Sequence, residues 1–292
     1  MNSHHTPQFL ATLRSSGRFA LQWRLLVLWM ITLLIPAGLM TLPFWQIFAA
    51  QLNHSVYADV FAHSLTMNAV DDLMSAVMTN KMVVQQTGIA ALVLTVLFTP
   101  FLNGAVVTAA RIREPLTMGK LVHGGIAEYW RMFRMFLMAL IPLGIAGGIG
   151  AAALRCADRY AEKAILESNA DLASYAALAL LIILLVVADA SADAGRAQFA
   201  HSTIRRSAIK AWWAGLKMIV RRPVSTLGFY VAFTLFGALL AGVAGILRLN
   251  IGHTGAPGFI LGLVLAQLMV ASMCWMRIAR LSALVAAGKT TA

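Results

Sequence analysis

Hydrophobic residues in this chain gather into six long stretches: Leu25–Phe48, Thr87–Ala110, Met132–Leu154, Leu172–Ala192, Val224–Leu247 and Pro257–Met276. One helix needs about 20 apolar residues to cross the hydrocarbon core of a bilayer, and each stretch meets that length. Polar positions inside them are too sparse to give a helix a solvent-facing side. The pattern predicts an all-α polytopic membrane protein with six transmembrane helices. The segments between them are too short for an independent domain, so residues 1–292 read as one integral membrane domain.

Polar and aromatic positions recur at the starts of these stretches. Gln22-Trp23-Arg24 leads to Ile35-Pro36-Ala37-Gly38, and Tyr129-Trp130-Arg131 leads to Ile141-Pro142-Leu143-Gly144. A third lead-in, Ala211-Trp212-Trp213 through Arg221-Arg222-Pro223, is looser. Gly104, Lys120 and Gly125 are echoed by Gly195, Lys210 and Gly215. This spacing reads as three pseudo-repeated helical hairpins, each approached through an interfacial amphipathic helix. Arg14–Arg24, Met118–Arg134 and Thr203–Arg222 are the segments expected to lie in the interface. Trp23, Arg24, Trp130, Arg131, Trp212 and Trp213 are the expected interface anchors, because indole rings settle at headgroup level and arginine snorkels beside them. Pro36 and Pro142 each remove one backbone hydrogen bond within a span. Between the first two spans, Val56, Val60, Phe61, Leu65, Leu73, Val77 and Met78 recur at near-helical spacing, as in amphipathic helices lying on a leaflet or capping the bundle.

Composition agrees with a membrane solvent: 60% of residues are hydrophobic and 12% charged, with mean hydropathy +0.78. The net charge of +12 would point to nucleic acid in a soluble protein. Its distribution gives a different cause. Eighteen of the 23 Lys and Arg residues fall in the N-terminus, the second and fourth loops and the C-terminus, and five fall in the other loops. The positive-inside rule then expects both termini in the cytoplasm, facing anionic headgroups. Lipid and partner proteins, rather than nucleic acid, are the expected contacts. The first stretch is too long for a cleavable signal peptide, and Phe48-Ala49-Ala50 lacks the small residue such a site requires. A retained first span fits insertion into a bacterial inner membrane.

Small-xxx-small ladders mark expected helix contacts: Gly144 and Gly148; Gly237, Ala241 and Gly245; Gly258 and Gly262. Cys156 and Cys274 lie near opposite ends of their spans and read as free thiols, too far apart to bridge.

Candidate chemistry centres on Asp189 and Asp193, one helical turn apart on the fourth span. A helix starting near Leu172 carries Asp189 about 25 Å along its axis, close to the inner interface. Arg196, three residues after Asp193, is placed to pair with it. An interfacial ion pair, a cation or proton site and a catalytic carboxylate pair are all open to such residues. The histidines (His4, His5, His54, His63, His123, His201 and His253) form no zinc-ligand spacing, and no Cys cluster accompanies them. A weak metal site in the first outer loop, from His54, His63, Asp59, Asp71 and Asp72, is the exception considered; the chain implies no metal and no cofactor. Nucleotide-binding and serine-hydrolase motifs are absent from the sequence. Ala211, Gly215 and Pro223 approximate the spacing of coupling loops in importer-type ABC permeases, without the usual leading Glu.

The Gly104–Gly125 segment, the Tyr129–Phe136 lead-in and the Arg277-x-x-Arg280 terminus give the chain a resemblance to uncharacterised bacterial six-helix inner-membrane proteins, similar to the membrane domain of some glycerophosphodiester phosphodiesterases. The resemblance implies a helical membrane domain and no activity, since the catalytic barrel of those fusions has no counterpart here. The sequence therefore predicts a non-enzymatic scaffold or accessory subunit of an envelope assembly. The alternatives are a small-solute or lipid transporter or permease subunit using Asp189 and Asp193, and a membrane enzyme acting on lipids.

Overall fold

A computed structural model describes residues 5–52, 67–112, 114, 116–164, 166–201, 207–251 and 255–289. These residues form ten helices and no strand. They are α1 (His5–Ala20), α2 (Trp23–Leu52), α3 (Met67–Thr79), α4 (Lys81–Ile112), α5 (Met118–Ala127), α6 (Tyr129–Ala161), α7 (Glu167–His201), α8 (Ala208–Arg221), α9 (Pro223–Asn250) and α10 (Gly255–Lys289). Six of them, α2, α4, α6, α7, α9 and α10, are long and apolar enough to cross a membrane. The chain is a multi-pass helical membrane protein.

The long helices overrun the apolar stretches that define them. Helix α4 starts at Lys81, α7 continues to His201 and α10 to Lys289. The extensions of α7 and α10 keep an apolar face that finds a partner, so nothing ends those helices where hydropathy falls. The lead-in before α6 is two helices, because the chain breaks at Glu128, which caps both α5 and α6. Of the segment between the first two spans, α3 is helical; residues 53–66, with His54, Asp59, Val56, Val60, Phe61, His63 and Leu65, lie outside the described residues, as do His4, His253 and the loop residues 202–206.

The long helices pair as neighbours in sequence: α2 with α4, α6 with α7, and α9 with α10. Three short amphipathic helices each pack on the last long helix of a pair. Helix α5 lies on α4, α8 on α7, and α1 on α10, so the contacts close into a ring. Glycines permit the first two approaches. A Cβ on Gly104 would sit 3.0 Å from the Gly125 carbonyl oxygen, and one on Gly215 would sit 2.5 Å from the Gly195 nitrogen. The third is held by the Trp275 indole, which donates to the Gly17 carbonyl at 3.0 Å, while Phe9 of α1 stacks on Phe229 of the neighbouring α9 at 4.4 Å.

The core sits at the end of the bundle that carries most of the arginines. It collects Leu102–Ala110 of α4, Ala194–Ala200 of α7, Cys274–Val285 of α10 and Met132 and Met135 of α6. Towards the far end the pairs expose their apolar sides, and only 6% of the most apolar stretch of α7 is buried. In a bilayer those faces meet lipid or other helices, which are equally acceptable solvents for leucine and isoleucine.

The small-residue ladders divide. Gly237, Ala241 and Gly245 do lie in the α9–α10 seam: a Cβ on Gly237 would come within 2.6 Å of Met276, Ala241 is buried, and Gly245 faces Met269. Gly144, Gly148 and Gly262 face open space instead. The α6–α7 seam runs through Ala139, Ala146, Gly150 and Ala157, with Gly150 set directly against Leu181. Ala146-x-x-x-Gly150 is a second ladder two positions, or about 200°, round the same helix. Spacing alone does not say which of two such faces meets the neighbour. Gly258 is half-buried near the start of α10.

Candidate functional site

The polar site is built on a run of small residues in α7. Ala188-Asp189-Ala190-Ser191-Ala192-Asp193-Ala194-Gly195 offers almost no side-chain bulk, so α8, α9 and α10 approach the backbone closely. Asp189 and Asp193, four residues apart, share the helix face that looks towards α9 and α10. Asp193 pairs with Arg196 on its own helix, as its spacing predicts.

The decisive partner comes from another span. Arg280 of α10 reaches across and places Nη2 3.0 Å from Asp193 Oδ2 and 3.3 Å from Asp189 Oδ2. Its Nη1 donates to Thr234 Oγ1 at 3.3 Å, and the guanidinium lies over the Tyr230 ring, 4.3 Å from its centre. Tyr230 in turn donates its hydroxyl to Asp189 Oδ2. Three long helices are thereby tied by one network: two carboxylates, two guanidiniums, a phenol and a threonine hydroxyl. The formal charges of the four ionised groups cancel. Burial is uneven. The side chains of Arg280 and Asp193 are each 7% exposed, whereas that of Asp189 is 33% exposed. Residues 190–195 after Asp189 are packed, while most residues of the preceding two turns are not. Asp189 therefore stands where the packed end of the bundle gives way to the open one.

A second cluster lies beside it. Glu128, buried at the break between α5 and α6, accepts from Arg111 at 2.8 Å and from Arg131 at 2.6 Å. Arg111 also donates to the carbonyls of Phe199 and Ala200, at 2.9 and 3.3 Å, and so satisfies two of the last backbone acceptors of α7. Arg131 lies over the Phe199 ring at 4.7 Å. The ends of α4 and α6 meet on one carboxylate, and the end of α7 joins them through Arg111 and Arg131.

The chain matches no family model, no curated protein and no solved structure among those compared. What can be said of the site rests on its geometry.

The aromatic lead-ins take two kinds of position. Trp23, Trp130 and Trp213 are 64%, 69% and 52% exposed, one at each of the three approaches to a helix pair. Arg24 lies over Trp23 and donates to the Leu116 carbonyl at 3.2 Å. Arg131 and Trp212 turn inward: Arg131 joins Glu128, and the Trp212 indole donates to Ser191 Oγ at 3.1 Å. Among the described residues no three His, Cys, Asp or Glu side chains gather to hold a metal. Cys156 is exposed and Cys274 buried, and both are free.

Sequence reasoning reached Asp189, Asp193 and Arg196 but not Arg280, Tyr230, Thr234 or Glu128. A signal existed for two of them. Arg280 sits among Ile278, Ala279, Leu281, Leu284 and Val285, an apolar run that outlasts the sixth stretch. Glu128 is the one acid within the basic Met118–Arg134 segment. Tyr230 and Thr234 carried no comparable mark.

Chemically, this network is committed to itself. Asp193 is held by two guanidiniums, and Asp189 by a guanidinium and a phenol. Charges arranged in this way lock helices together, because a carboxylate in hydrocarbon is far costlier unpaired than paired.

Proposed function

We propose that this chain is a non-enzymatic integral protein of a bacterial inner membrane, with both ends cytoplasmic, serving as a scaffold or accessory subunit of an envelope assembly. The observation that carries this reading is the mutual compensation of Asp189, Asp193, Arg196 and Arg280 across three spans. A bundle that spends its intramembrane charges on its own rigidity, and leaves wide apolar faces at the far end, is suited to holding other membrane proteins. The basic end is read as cytoplasmic from the arginine bias, with anionic headgroups around it. On this reading the three helix pairs with their short amphipathic helices are diverged repeats, and the Gly104–Gly125 and Gly195–Gly215 contacts are equivalent positions. The resemblance to phosphodiesterase membrane domains fits a helical platform that carries no catalysis itself.

The test is purification of the full chain from its native membrane in mild detergent. A partner chain at fixed stoichiometry, retained through size-exclusion chromatography, is expected. A monodisperse particle containing this chain alone refutes the reading.

One observation favours a second reading, a transporter for a small solute or lipid: Asp189 is a third exposed at the edge of the open half. Asp189→Asn separates the two. Loss of uptake or binding at normal abundance supports transport. A change in abundance alone leaves Asp189 as part of the lock.

A further inference from the structure

The corner between α4 and α5 holds a feature that neither ion cluster uses. A depression of about 280 Å³ is lined by Thr108, Ile112, Leu116, Gly119, Lys120 and His123. Its wall is apolar: Leu116 is buried, and Ile112, at the end of a long span, is 47% exposed. Its rim is basic, because Lys120 and His123 are both exposed on α5. Backbone packing sets the shape. A Cβ on Gly124 would meet Thr108 at 2.7 Å and one on Gly125 would meet Phe101 at 2.7 Å, so α5 lies flush on α4. The linker is pinned as well, by the Arg24 bond to the Leu116 carbonyl. Lys120 and Lys210 hold the same register, each five residues before the glycine that seats its helix on a span.

An occupant of this depression must be apolar where it touches Ile112 and Leu116, and anionic where it reaches Lys120 and His123. It must also lie at the boundary of the membrane, where α4 ends. A phospholipid meets all three conditions: its phosphate faces the Lys120 ammonium and the His123 imidazole while its glycerol and first acyl carbons cover the isoleucine and leucine. We propose that the α4–α5 corner is a binding site for the phosphate group of an anionic phospholipid. The inference rests on the reading of this end as a membrane interface, and it adds a fixed lipid to the basic face proposed above.

The full chain, purified in nonionic detergent, is titrated with phosphatidylglycerol, and bound lipid is counted by native mass spectrometry. Phosphatidylcholine and inorganic phosphate are titrated in parallel. Phosphatidylglycerol is expected to bind in preference to phosphatidylcholine and to resist displacement by inorganic phosphate. Lys120→Gln with His123→Gln is expected to weaken it about tenfold, the value of one charge-assisted hydrogen bond. Gly119→Leu should do the same with Lys120 and His123 in place, because Gly119 lines the depression and a Cβ there meets nothing within 4 Å. Unchanged melting temperatures in both variants exclude a folding defect. Equal lipid counts in wild type and both variants overturn the proposal. So does a loss in the charge variant without a loss in Gly119→Leu, which describes a diffuse basic surface, and so does displacement by inorganic phosphate, which describes a site for a free anion. Lipid is counted in detergent, so the result is independent of which face of the membrane this end occupies. Reporter fusions decide that separately.

Discussion

Neutralising Asp193 should damage the protein far more than neutralising Asp189, although the two residues are one turn apart and alike in sequence. Asp193→Asn removes the carboxylate that both Arg196 and Arg280 contact, and leaves two guanidiniums against Asp189 alone. The Arg280 and Asp193 side chains are each 7% exposed, so water cannot make good the loss. Breaking such a buried pair from one side costs about 3–5 kcal/mol in soluble proteins. In membranes the unfolded helices find other polar partners and single interhelical contacts are worth less, so about 2–3 kcal/mol is expected here. Asp189→Asn keeps a hydrogen-bond acceptor for Tyr230 at a position that is one-third exposed, and about 1 kcal/mol should suffice. Arg280→Met leaves Asp189 with Tyr230 alone and Asp193 with Arg196 alone, one buried carboxylate in excess, and should resemble Asp193→Asn. The double variant Arg280→Met with Asp193→Asn removes one charge of each sign, so the network is formally neutral again. It should be less destabilised than the sum of its parts by 1 kcal/mol or more, the size of coupling between residues in contact. Unfolding by SDS titration in mixed micelles, followed by far-UV circular dichroism, measures all four. If Asp189→Asn and Asp193→Asn cost the same, or if the double variant is simply additive, the network is not a shared lock.

Other outcomes follow from single contacts. Gly215→Ala puts a Cβ 2.5 Å from the Gly195 nitrogen, where backbone must move, and should cost about 1–3 kcal/mol in the same assay. Gly144→Ala, whose Cβ meets nothing, should leave stability unchanged. Glu128→Gln strips the shared anion from Arg111 and Arg131 and should lower the SDS midpoint about as far as Asp193→Asn. On intact spheroplasts an impermeant maleimide should label exposed Cys156 and leave buried Cys274 unmodified until the protein is denatured. Labelling of Cys156 only after the membrane is opened would invert the proposed orientation.

The six spans were legible because hydropathy over 20 residues is a sum, and sums tolerate a misplaced residue. Ends were less legible. The sixth stretch stops at Met276 by hydropathy since Arg277 and Arg280 follow, yet α10 runs on to Lys289 with Ile278, Leu281, Leu284 and Val285 buried. Arg280 reads as a loop cation in sequence; in the fold it is a core residue whose charge is met by another helix. That pairing joins positions 91 residues apart, which no local spacing encodes. Asp193 with Arg196 was legible for the opposite reason, being three residues apart on one helix. The choice between Gly144-x-x-x-Gly148 and Ala146-x-x-x-Gly150 depended on which side α7 occupies, a fact held by the tertiary arrangement alone.

The bond from Trp275 to Gly17 spans 258 positions of the chain. A ribosome delivers Gly17 long before Trp275. During synthesis α5 and α8 each find their seat on a span already made, but α1 has none. Its seat exists only once α10 is made, so the packing of an early helix depends on a later one. A chain stopped before α10 leaves that helix without its seat.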